Sequence, residues 1–447
     1  MRIVIAGAGA VGFHLAKMMC NESQNIYIID DNEDRLNYVQ AHIDVFGVKG
    51  NAKNINILKE VKVESCDLLI AATSSEETNL LVCINGKKLG AKRTIARISN
   101  YEGIDIEMRE LYSSLGVDNI ISPVELASQE IKRLIEQSAF TSDYEFEGGK
   151  LSVFGIALTA NSPLANKSII DTTYLNPNRS FKPIALLRND KTIMIKADTI
   201  LLEHDIVYFI STPNSIEDIT QICGQQCYEI KNVMILGGSR MGVLTAELLE
   251  KNYSVILIEK NKKKAEEIAE HLKKTLVINT DGTDVQALEE ENIKDMDAFI
   301  SVTGNSETNI ITSLVAKSHG VKKTIAGVEN IDYINLSHNI GIDTLINKKM
   351  IAAANIFKFI RKGEIAAIAN LHGVDGEIIE FNVKANTKIT TRPLRELKIP
   401  STANIAGVIR DNEGFIPFGG FQMQDGDKVV VFTKTDSIPE IEKFFNQ

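Results

Sequence analysis

The chain contains two copies of one long pattern, and this internal repeat constrains the fold more than any other feature. RIVIAGAGAVG at residues 2–12 matches NVMILGGSRMG at residues 232–242, a shift of 230 residues. DLLIAATSSEETN at 67–79 matches DAFISVTGNSETN at 297–309 with the same shift. A repeat of this kind indicates that one structural unit is duplicated, so both halves are expected to fold alike.

The repeat continues into a second part of each unit. IALLRNDKTIMIKADTILLEHDIVYFI at 184–210 matches AGVIRDNEGFIPFGGFQMQDGDKVVVF at 406–432 with a shift of 222 residues. The sequence therefore predicts a tandem duplication of a two-part unit. A chain of 447 residues is long enough for about two to four domains, which agrees with this organisation.

The two parts of each unit differ in their hydrophobic pattern. In the first part, continuous apolar runs such as IVIAG, IYIID and LLIAAT alternate with helical patterns, as is typical of a parallel sheet covered on both faces. The second part has short strand patterns separated by turn residues. The predicted fold class is α/β, with two tandem Rossmann-type domains that have parallel sheets, each followed by a small β-rich α+β lobe.

Helical spacing between the two parts predicts a crossover helix in each copy. These helices lie at PVELASQEIKRLIEQ (123–137) and KKMIAAANIFKFIRK (348–362), and their apolar faces are also suited to packing against a partner. The predicted divisions are a first Rossmann domain, a crossover helix and a β-rich lobe, followed by the same three parts again: 1–122, 123–140, 141–225, 231–347, 348–363 and 364–447.

The first copy carries a glycine pattern, GAGAVG, between a predicted strand and a predicted helix. Gly7 permits a tight turn, Gly9 allows close approach of a pyrophosphate, and Gly12 permits close helix–strand packing. Asp30 ends the second strand, where a carboxylate accepts both ribose hydroxyls and repels a 2′-phosphate. The pattern predicts NAD(H) at a first site, with a vestigial site as the alternative. The predicted contacts of the turn are Gly7, Ala8, Gly9, Ala10, Val11 and Gly12.

The second copy has an altered pattern, with Ser239 in place of the second glycine and Arg240 after it. The added β-carbon is expected to loosen a pyrophosphate fit, while the hydroxyl and the guanidinium can meet a more anionic phosphate chain. ATP or ADP is therefore predicted at this second site, with NAD(H) or a degenerate structural copy as alternatives. The predicted contacts are Gly237, Gly238, Ser239, Arg240, Met241, Gly242 and, ending the second strand, Glu259.

Residues that end later strands are further candidates, because open α/β sheets bind ligands at the carboxyl ends of their strands. Asn51, beside Ala52, and Asp281 follow the third strand of each copy and are expected to face adenine or ribose. Thr73 and Thr303 end the fourth strands, and capping of the next helix would by itself explain them.

Arg97 is a candidate without a counterpart, since the matching residue of the second copy is Gly327. It is predicted to meet phosphate or an acid of another subunit, with an ordinary surface salt bridge as the alternative. The seven histidines lie in no recognisable nucleophile or metal motif, so neither a catalytic residue nor a metal site is predicted. A β-rich lobe that occurs twice suits ligand sensing and assembly better than turnover.

Charge, hydropathy and cysteine content narrow the function classes. The net charge of −10 argues against nucleic acid as a partner. No apolar stretch approaches the roughly 18–20 residues that span a bilayer, and the glycine spacing of the first residues favours a buried strand over a signal peptide. Five cysteines without paired spacing fit a reducing compartment, and Cys223 and Cys227 alone are too few for zinc. A cytoplasmic protein is predicted.

These motifs together resemble the RCK (regulator of potassium conductance) family, and within it the tandem TrkA-type subunits of potassium uptake systems. The resemblance covers nearly the whole chain, with the nucleotide-binding domain, crossover helix and β-rich lobe occurring twice. Two residues depart from the family pattern, because Ser74 and Gly304 stand where the family often has an acid. The residues that match the family motifs are Gly7, Gly9, Gly12, Asp30, Thr73, Gly237, Arg240, Gly242, Glu259 and Thr303.

The resemblance implies a cytoplasmic gating ring, peripheral on the inner face of the membrane, beneath a potassium-translocating protein of the TrkH or TrkG type. It implies NAD(H) and ATP or ADP as ligands and a homotetramer as the assembly, with no chemical reaction catalysed. Two alternatives stay open at this point. One is a NAD-dependent oxidoreductase with a duplicated Rossmann fold, and the other is a redox or energy sensor with no membrane partner.

Overall fold

The computed structural model describes residues 1–20, 25–99, 106–136, 142–189, 191–224, 229–330, 333, 341–360, 365–370, 374–434 and 437–446. The described chain divides into two compact units. The first holds the described parts of 1–132, 232–333 and 345–360, and the second those of 133–231, 334–344 and 361–447. The two copies of the glycine-containing part therefore fold into one unit, and the two β-rich lobes into the other.

The first copy of the first unit is a six-stranded parallel sheet in the order β3-β2-β1-β4-β5-β6. The order reverses between β1 and β4, and ligands bind parallel sheets at such a position. The strands are β1 (Arg2–Ala6), β2 (Asn25–Asp30), β3 (Phe46–Lys49), β4 (Leu68–Ala71), β5 (Thr94–Arg97) and β6 (Asn119–Ile121). The helices are α1 (Ala10–Cys20), α2 (Glu33–His42), α3 (Ile55–Glu60), α4 (Glu76–Leu89), α5 (Ile106–Leu115) and α6 (Pro123–Glu136).

The second copy repeats this sheet in the order β14-β13-β12-β15-β16-β17. Its strands are β12 (Asn232–Leu236), β13 (Ser254–Ile258), β14 (Leu276–Ile278), β15 (Ala298–Ser301), β16 (Lys323–Gly327) and β17 (Thr344–Ile346). Its helices are α8 (Arg240–Leu249), α9 (Lys262–His271), α10 (Val285–Glu290), α11 (Ser306–Ser318) and α12 (Lys348–Ile360). The predicted tandem Rossmann-type domains are confirmed. None of the described helices combines the length and apolar character needed to cross a bilayer.

Each β-rich lobe is a five-stranded sheet. The first, in the order β10-β9-β11-β8-β7, contains β7 (Ser142–Phe146), β8 (Leu151–Ala157), β9 (Phe181–Arg188), β10 (Lys191–Met194) and β11 (Ile206–Ser211), with α7 (Ile216–Ile222). The second, in the order β18-β19-β22-β20-β21, contains β18 (Ile365–Asn370), β19 (Glu377–Asn382), β20 (Ala403–Arg410), β21 (Glu413–Phe415) and β22 (Lys428–Thr433), with α13 (Ile438–Asn446). The neighbouring strands run antiparallel, which confirms the predicted difference between the two parts.

Equivalent parts of the two copies pack against each other within each unit. In the first unit, α12 of the second copy packs on α1 of the first, and Ser128 of α6 donates a hydrogen bond to the carbonyl of Met241 in α8 at 3.2 Å. In the second unit, the Lys182 ammonium donates to Asn404 Oδ1 at 2.7 Å and to the Ile405 carbonyl at 3.1 Å. Each crossover helix thus contacts the other copy of the same chain.

One ion pair recurs at matching positions of the two β-rich lobes. Arg188 donates two hydrogen bonds to Asp205 at 2.7 and 2.6 Å, and Arg410 donates two to Asp427 at 2.7 Å each. Both aspartates are only 1 % exposed. A two-point arginine–carboxylate contact fixes the orientation of both side chains and also neutralises their charges. Equivalent pairs therefore hold equivalent strands together in the two lobes.

Glu380, in β19, is a buried acid without a matching hydrogen-bond donor. It is 1 % exposed, and neither carboxylate oxygen has a hydrogen-bond partner among the described residues. Burial and the nearby charge of Glu147 raise the pKa of Glu380 to about 7, while Lys428 opposes the shift. Since Glu147 is itself paired with Lys428 at 2.5 Å, the charge of Glu380 is left poorly balanced in the folded state.

This arrangement predicts that stability falls as the pH rises from about 4.5 through about 7, because the folded state retains a proton that the unfolded chain releases. Glu380→Gln should remove this loss, on the order of 3 kcal/mol, and stabilise the protein at pH 8. Urea unfolding at pH 5 and pH 8 measures the effect, with Glu217→Gln, at an exposed acid of α7, as the control. Equal pH dependence in wild type and Glu380→Gln would contradict the prediction.

Candidate functional site

Both glycine turns depend on glycine for steric reasons. Gly7 has φ of +110° and Gly237 has φ of +106°, a backbone region that residues with a side chain rarely adopt. A β-carbon at Gly12 would lie 1.9 Å from the carbonyl oxygen of Gly7, and one at Gly242 would lie 2.0 Å from that of Gly237. These contacts hold the first turn of α1 and of α8 close to the preceding strands, so both helix N-termini point across the carboxyl edge of their sheets.

The two turns differ at their central position. A β-carbon at Gly9 would meet no atom within 4 Å, so the first turn leaves open space where a ligand can approach the backbone. In the second turn, Ser239 donates a hydrogen bond to the Val302 carbonyl at 2.6 Å and accepts one from the Gly242 amide at 3.2 Å. The hydroxyl predicted to meet phosphate is thus engaged inside the fold, as the N-cap of α8.

Asp30 ends β2 beside the first turn. Its Oδ2 accepts a hydrogen bond from the Ala8 amide at 2.7 Å, and its Oδ1 accepts one from the Asn32 amide at 2.9 Å. The carboxylate is 8 % exposed and lines a cavity at the edge of the sheet. Each carboxylate oxygen has a further lone pair, so a fixed Asp30 can still accept hydrogen bonds from a ligand hydroxyl.

Glu259 takes the same place in the second copy, with one difference. It accepts hydrogen bonds from the Gly238 amide at 3.1 Å and the Asn261 amide at 2.8 Å. The ammonium of Lys264 also lies 3.3 Å from its Oε2. Burial raises the pKa of Glu259, but these hydrogen bonds and the lysine outweigh it, so the pKa is lowered. The carboxylate of the second copy is thus already matched by a cation of its own chain.

Thr73 and Thr303, candidate site residues for which helix capping was the alternative explanation, do not cap the helices after the fourth strands. Strands β4 and β15 end at Ala71 and Ser301, two residues before Thr73 and Thr303. The capping side chains belong to Ser75, which accepts from the Thr78 amide, and to Asn305, which accepts from the Thr308 amide. The capping explanation was wrong because an N-cap is defined by its position next to the helix, and serine and asparagine occupy that position.

Asn79 and Asn309, in the first turns of α4 and α11, hold the threonines instead. Thr73 donates to Asn79 Oδ1 at 2.7 Å, and Asn79 Nδ2 donates to the Arg97 carbonyl at 2.8 Å. Asn309 makes the corresponding bonds to Thr303 at 2.6 Å and to the Gly327 carbonyl at 2.7 Å. Each asparagine therefore joins the loop after the fourth strand to the end of the fifth, and fixes one wall of each site.

Arg97 lies at the boundary of both sites. Its Nη2 donates to Ser99 Oγ at 3.3 Å and its Nη1 approaches the Thr73 carbonyl at 3.5 Å, while the buried Nε has no hydrogen-bond partner among the described residues. Burial lowers the pKa of the Arg97 guanidinium, although Glu76 and Glu329 act in the opposite direction. An arginine stays protonated in proteins, so this guanidinium is a permanent cation at the boundary and suits an anionic ligand.

The first cavity, of about 490 Å³, lies at the carboxyl edge of the first sheet. It brings together most of the residues predicted for the first site: Gly7, Gly9, Ala10, Val11, Asp30, Asn51, Ala52, Thr73 and Arg97. Ala8 donates its amide hydrogen to Asp30, and Gly12 allows α1 to pack closely against the carbonyl of Gly7 in the turn. The predicted first site is thus one continuous surface in the structure.

Apart from Arg97, the cations of this cavity were not predicted from the sequence. Arg35, Lys53 and Lys349 line it together with Arg97, against the two acids Asp30 and Asp31. Arg35 and Lys53 were detectable in principle, because they follow the second and third strands. Lys349 was not, because it comes from α12 of the second copy, 318 residues after Asp31 along the chain.

The second cavity, of about 330 Å³, is smaller and contains only part of the predicted second site. Ser239, Arg240, Met241 and Thr303 line it, but Glu259, Asp281 and the three glycines of the second turn are not among its lining residues. The remaining walls come from both copies: Arg97, Ser99, Pro123, Val124, Val302, Gly304, Ser306, Asn309, Gly327, Val328, Glu329, Ile346 and Lys348.

Asp281 lines neither of the two cavities, and its carboxylate makes local hydrogen bonds. Its Oδ1 accepts from the Thr283 amide at 3.0 Å and from the Thr283 hydroxyl at 2.8 Å, and these bonds lower the pKa of Asp281. In the first copy, Asn51 Oδ1 accepts in the same way from the Lys53 amide at 3.0 Å. The matching residues therefore share a turn geometry, while only Asn51 lines one of the two cavities.

Comparison with known proteins extends over the whole chain. The TrkA-N domain family matches residues 3–123 and 233–348, and the TrkA-C domain family matches residues 153–224 and 378–446. A Trk system potassium uptake protein TrkA homolog of Methanosarcina mazei is 32% identical over 455 residues, covering 100% of both chains. The Trk system potassium uptake protein TrkA of Vibrio alginolyticus is 30% identical over 438 residues, covering 97% of this chain and 95% of its own.

A solved structure supports the fold independently. The GsuK channel bound to NAD superimposes with a TM-score of 0.60 at 15% identity, covering 99% of this chain and 78% of that chain. With two TrkA-N and two TrkA-C domains in tandem and relatives that match along their whole length, this chain belongs to the TrkA family of Trk-system potassium uptake proteins.

Proposed function

We propose that this chain is a nucleotide-sensing regulatory subunit of a Trk-type potassium uptake system. Nucleotides bound in the two cavities of the first unit bias its conformation and so regulate ion flow through a membrane partner. The observation that carries the proposal is the first cavity, in which a glycine turn, the Asp30 carboxylate and four cations meet at the carboxyl edge of a parallel sheet.

The chemistry of the first cavity favours a dinucleotide such as NAD(H). The open space at Gly9 fits a pyrophosphate, and Asp30 can accept the hydroxyls of a ribose while disfavouring a 2′-phosphate. The NAD named with the GsuK channel belongs to that protein, and it agrees with this assignment.

The chemistry of the second cavity favours the phosphate chain of ATP or ADP, with NAD(H) as the alternative ligand. Arg240 stands at the N-terminus of α8, so its guanidinium adds to the partial positive charge of the helix end. Glu259, already paired with Lys264, has less capacity to select a ribose than Asp30 has. Any ligand acts by the difference between its affinities for two conformations, for which a coupling of about 1–3 kcal/mol per site is typical.

The proposed partner is an integral-membrane potassium transporter of the TrkH or TrkG type, bound at the cytoplasmic face by a homotetramer of this chain. The relatives are named as potassium uptake proteins of the Trk system, and no described helix of this chain is suited to cross a bilayer. Affinity purification of the tagged chain from membranes, with and without NADH or ATP, tests this proposal. Recovery of a potassium transporter in an amount that the nucleotides change is the expected result, and its absence in all conditions would refute the partnership.

Gly9→Leu should block the first cavity without disturbing the fold. A β-carbon at this position meets no neighbouring atom within 4 Å, so the larger side chain is expected to extend into the space that the pyrophosphate needs. NADH affinity, measured by calorimetry, is expected to fall about tenfold or more, equivalent to about 1.4 kcal/mol. Gly420→Leu, at an equally open glycine of the second unit, is the matched control and should leave NADH binding unchanged. Unaltered NADH affinity in Gly9→Leu would place the ligand elsewhere.

Arg240→Ala should weaken the binding of ATP or ADP in the second cavity much more than the binding of NADH in the first. Loss of a charge-assisted hydrogen bond to a phosphate chain is expected to weaken ATP or ADP by about tenfold, while NADH in the first site changes less than about twofold. Arg240→Lys retains the charge and should lose less. Nucleotide titrations followed by thermal shift and calorimetry check this, and an equal loss of both ligands, or no loss, would contradict the assignment.

A further inference from the structure

A small charged cluster connects the two cavities of the first unit. The carboxylate of Glu329 contacts two ammonium groups, with Lys348 at 2.8 Å and Lys349 at 2.5 Å. Lys349 lines the first cavity, whereas Glu329 and Lys348 line the second. Arg97 lines both, and Glu329 acts on its charge. One acid therefore balances cations that line two different cavities.

The backbone around this cluster is fixed by Asn347. Its side-chain amide donates to the Glu329 carbonyl at 3.1 Å, and its Oδ1 accepts from the Lys349 and Met350 amides at 3.0 and 3.1 Å. The end of the fifth strand is thus joined to the start of α12. Because the backbone is held by Asn347, the lysine side chains can move toward a ligand without moving the helix.

The two lysines are not explained by the needs of the helix. A cation in the first turn of a helix faces the positive end of the helix dipole, which is unfavourable. The matching residues of the first copy, Pro123 and Val124, begin α6 without any charge and line the second cavity. The fold therefore tolerates uncharged residues at the start of this helix. Lysines occupy these two first-turn positions only in α12, the crossover helix that reaches the first cavity.

Glu329 is ionised in this setting. Its partial burial raises the pKa, but hydrogen bonds from Lys348 and Lys349 outweigh that effect, so the pKa of Glu329 is lowered. A full negative charge then lies on the wall of the second cavity, screened by the two lysines. Moving one lysine away exposes more of this charge to whatever binds there.

We propose that Lys349, Glu329 and Arg97 make the two nucleotide sites antagonistic. A phosphate-bearing ligand in the first cavity attracts Lys349 and Arg97, and Glu329, left with Lys348 alone, repels an anionic ligand in the second cavity. This inference rests on the proposed function, since it needs both cavities to bind nucleotides. By linkage, a ligand in the second cavity weakens the first by the same factor.

The test measures ADP affinity by equilibrium dialysis, with and without saturating NADH, in the full chain. Direct competition by NADH in the second cavity is measured in Gly9→Leu, whose first cavity is blocked. In wild type, NADH should weaken ADP binding about five- to tenfold more than it does in Gly9→Leu, a size within the usual range of allosteric coupling. In Lys349→Gln, the extra weakening of ADP binding relative to Gly9→Leu should fall to about twofold, and Arg97 accounts for what is left. Lys349→Arg keeps the positive charge and should retain most of the extra weakening.

Each result separates this inference from the proposed function. If wild type binds neither NADH nor ADP, the proposed function fails and the antagonism fails with it. If both bind and NADH acts equally in wild type and Gly9→Leu, the proposed function stands and the antagonism is refuted. If the excess is as large in Lys349→Gln as in wild type, Lys349 is not the link. Thermal unfolding midpoints that match wild type confirm that the variants are folded.

Discussion

The packing of each copy against the other is the interaction on which the rest of the structure depends. Crossover helix α12 of the second copy lies against α1 of the first, and Ser128 of α6 bonds to Met241 of α8. A crossover helix has one apolar face that must be buried, and in a duplicated chain the other copy provides the surface. Because the two copies pack together in this way, residues of each copy line the cavity of the other.

Duplication also allows the two copies to diverge in function while they keep the fold. The steric requirement at Gly7 and Gly12 is repeated at Gly237 and Gly242, where a β-carbon would collide with backbone. The position of Gly9 has no such requirement, and the second copy has a serine there that caps its helix instead. The two copies share the geometry of the turn, and they differ in sequence at the position where a ligand would approach the backbone.

Sequence patterns predicted the elements and most of the first site, because they depend on local order along the chain. Continuous apolar runs predicted the parallel strands, and strand ends predicted Asp30, Asn51 and Thr73 at one edge. The alternative explanation of Thr73 as a helix cap was wrong, since the residue next to the helix forms the cap and that residue is Ser75. Lys349 could not be predicted, because its place in the first cavity results from contact between the copies.

By itself, the sequence determined that the chain is a tandem duplication, that each half has a parallel α/β part and a β-rich part, and where each glycine turn lies. These features follow from spacing, periodicity and the steric limits of glycine. Only the tertiary structure decided which parts associate, and hence that Arg97 faces two cavities and that Glu329 balances lysines of both. Electrostatic contacts between residues hundreds of positions apart depend on distance in space, and the order of residues along the chain does not encode that distance directly.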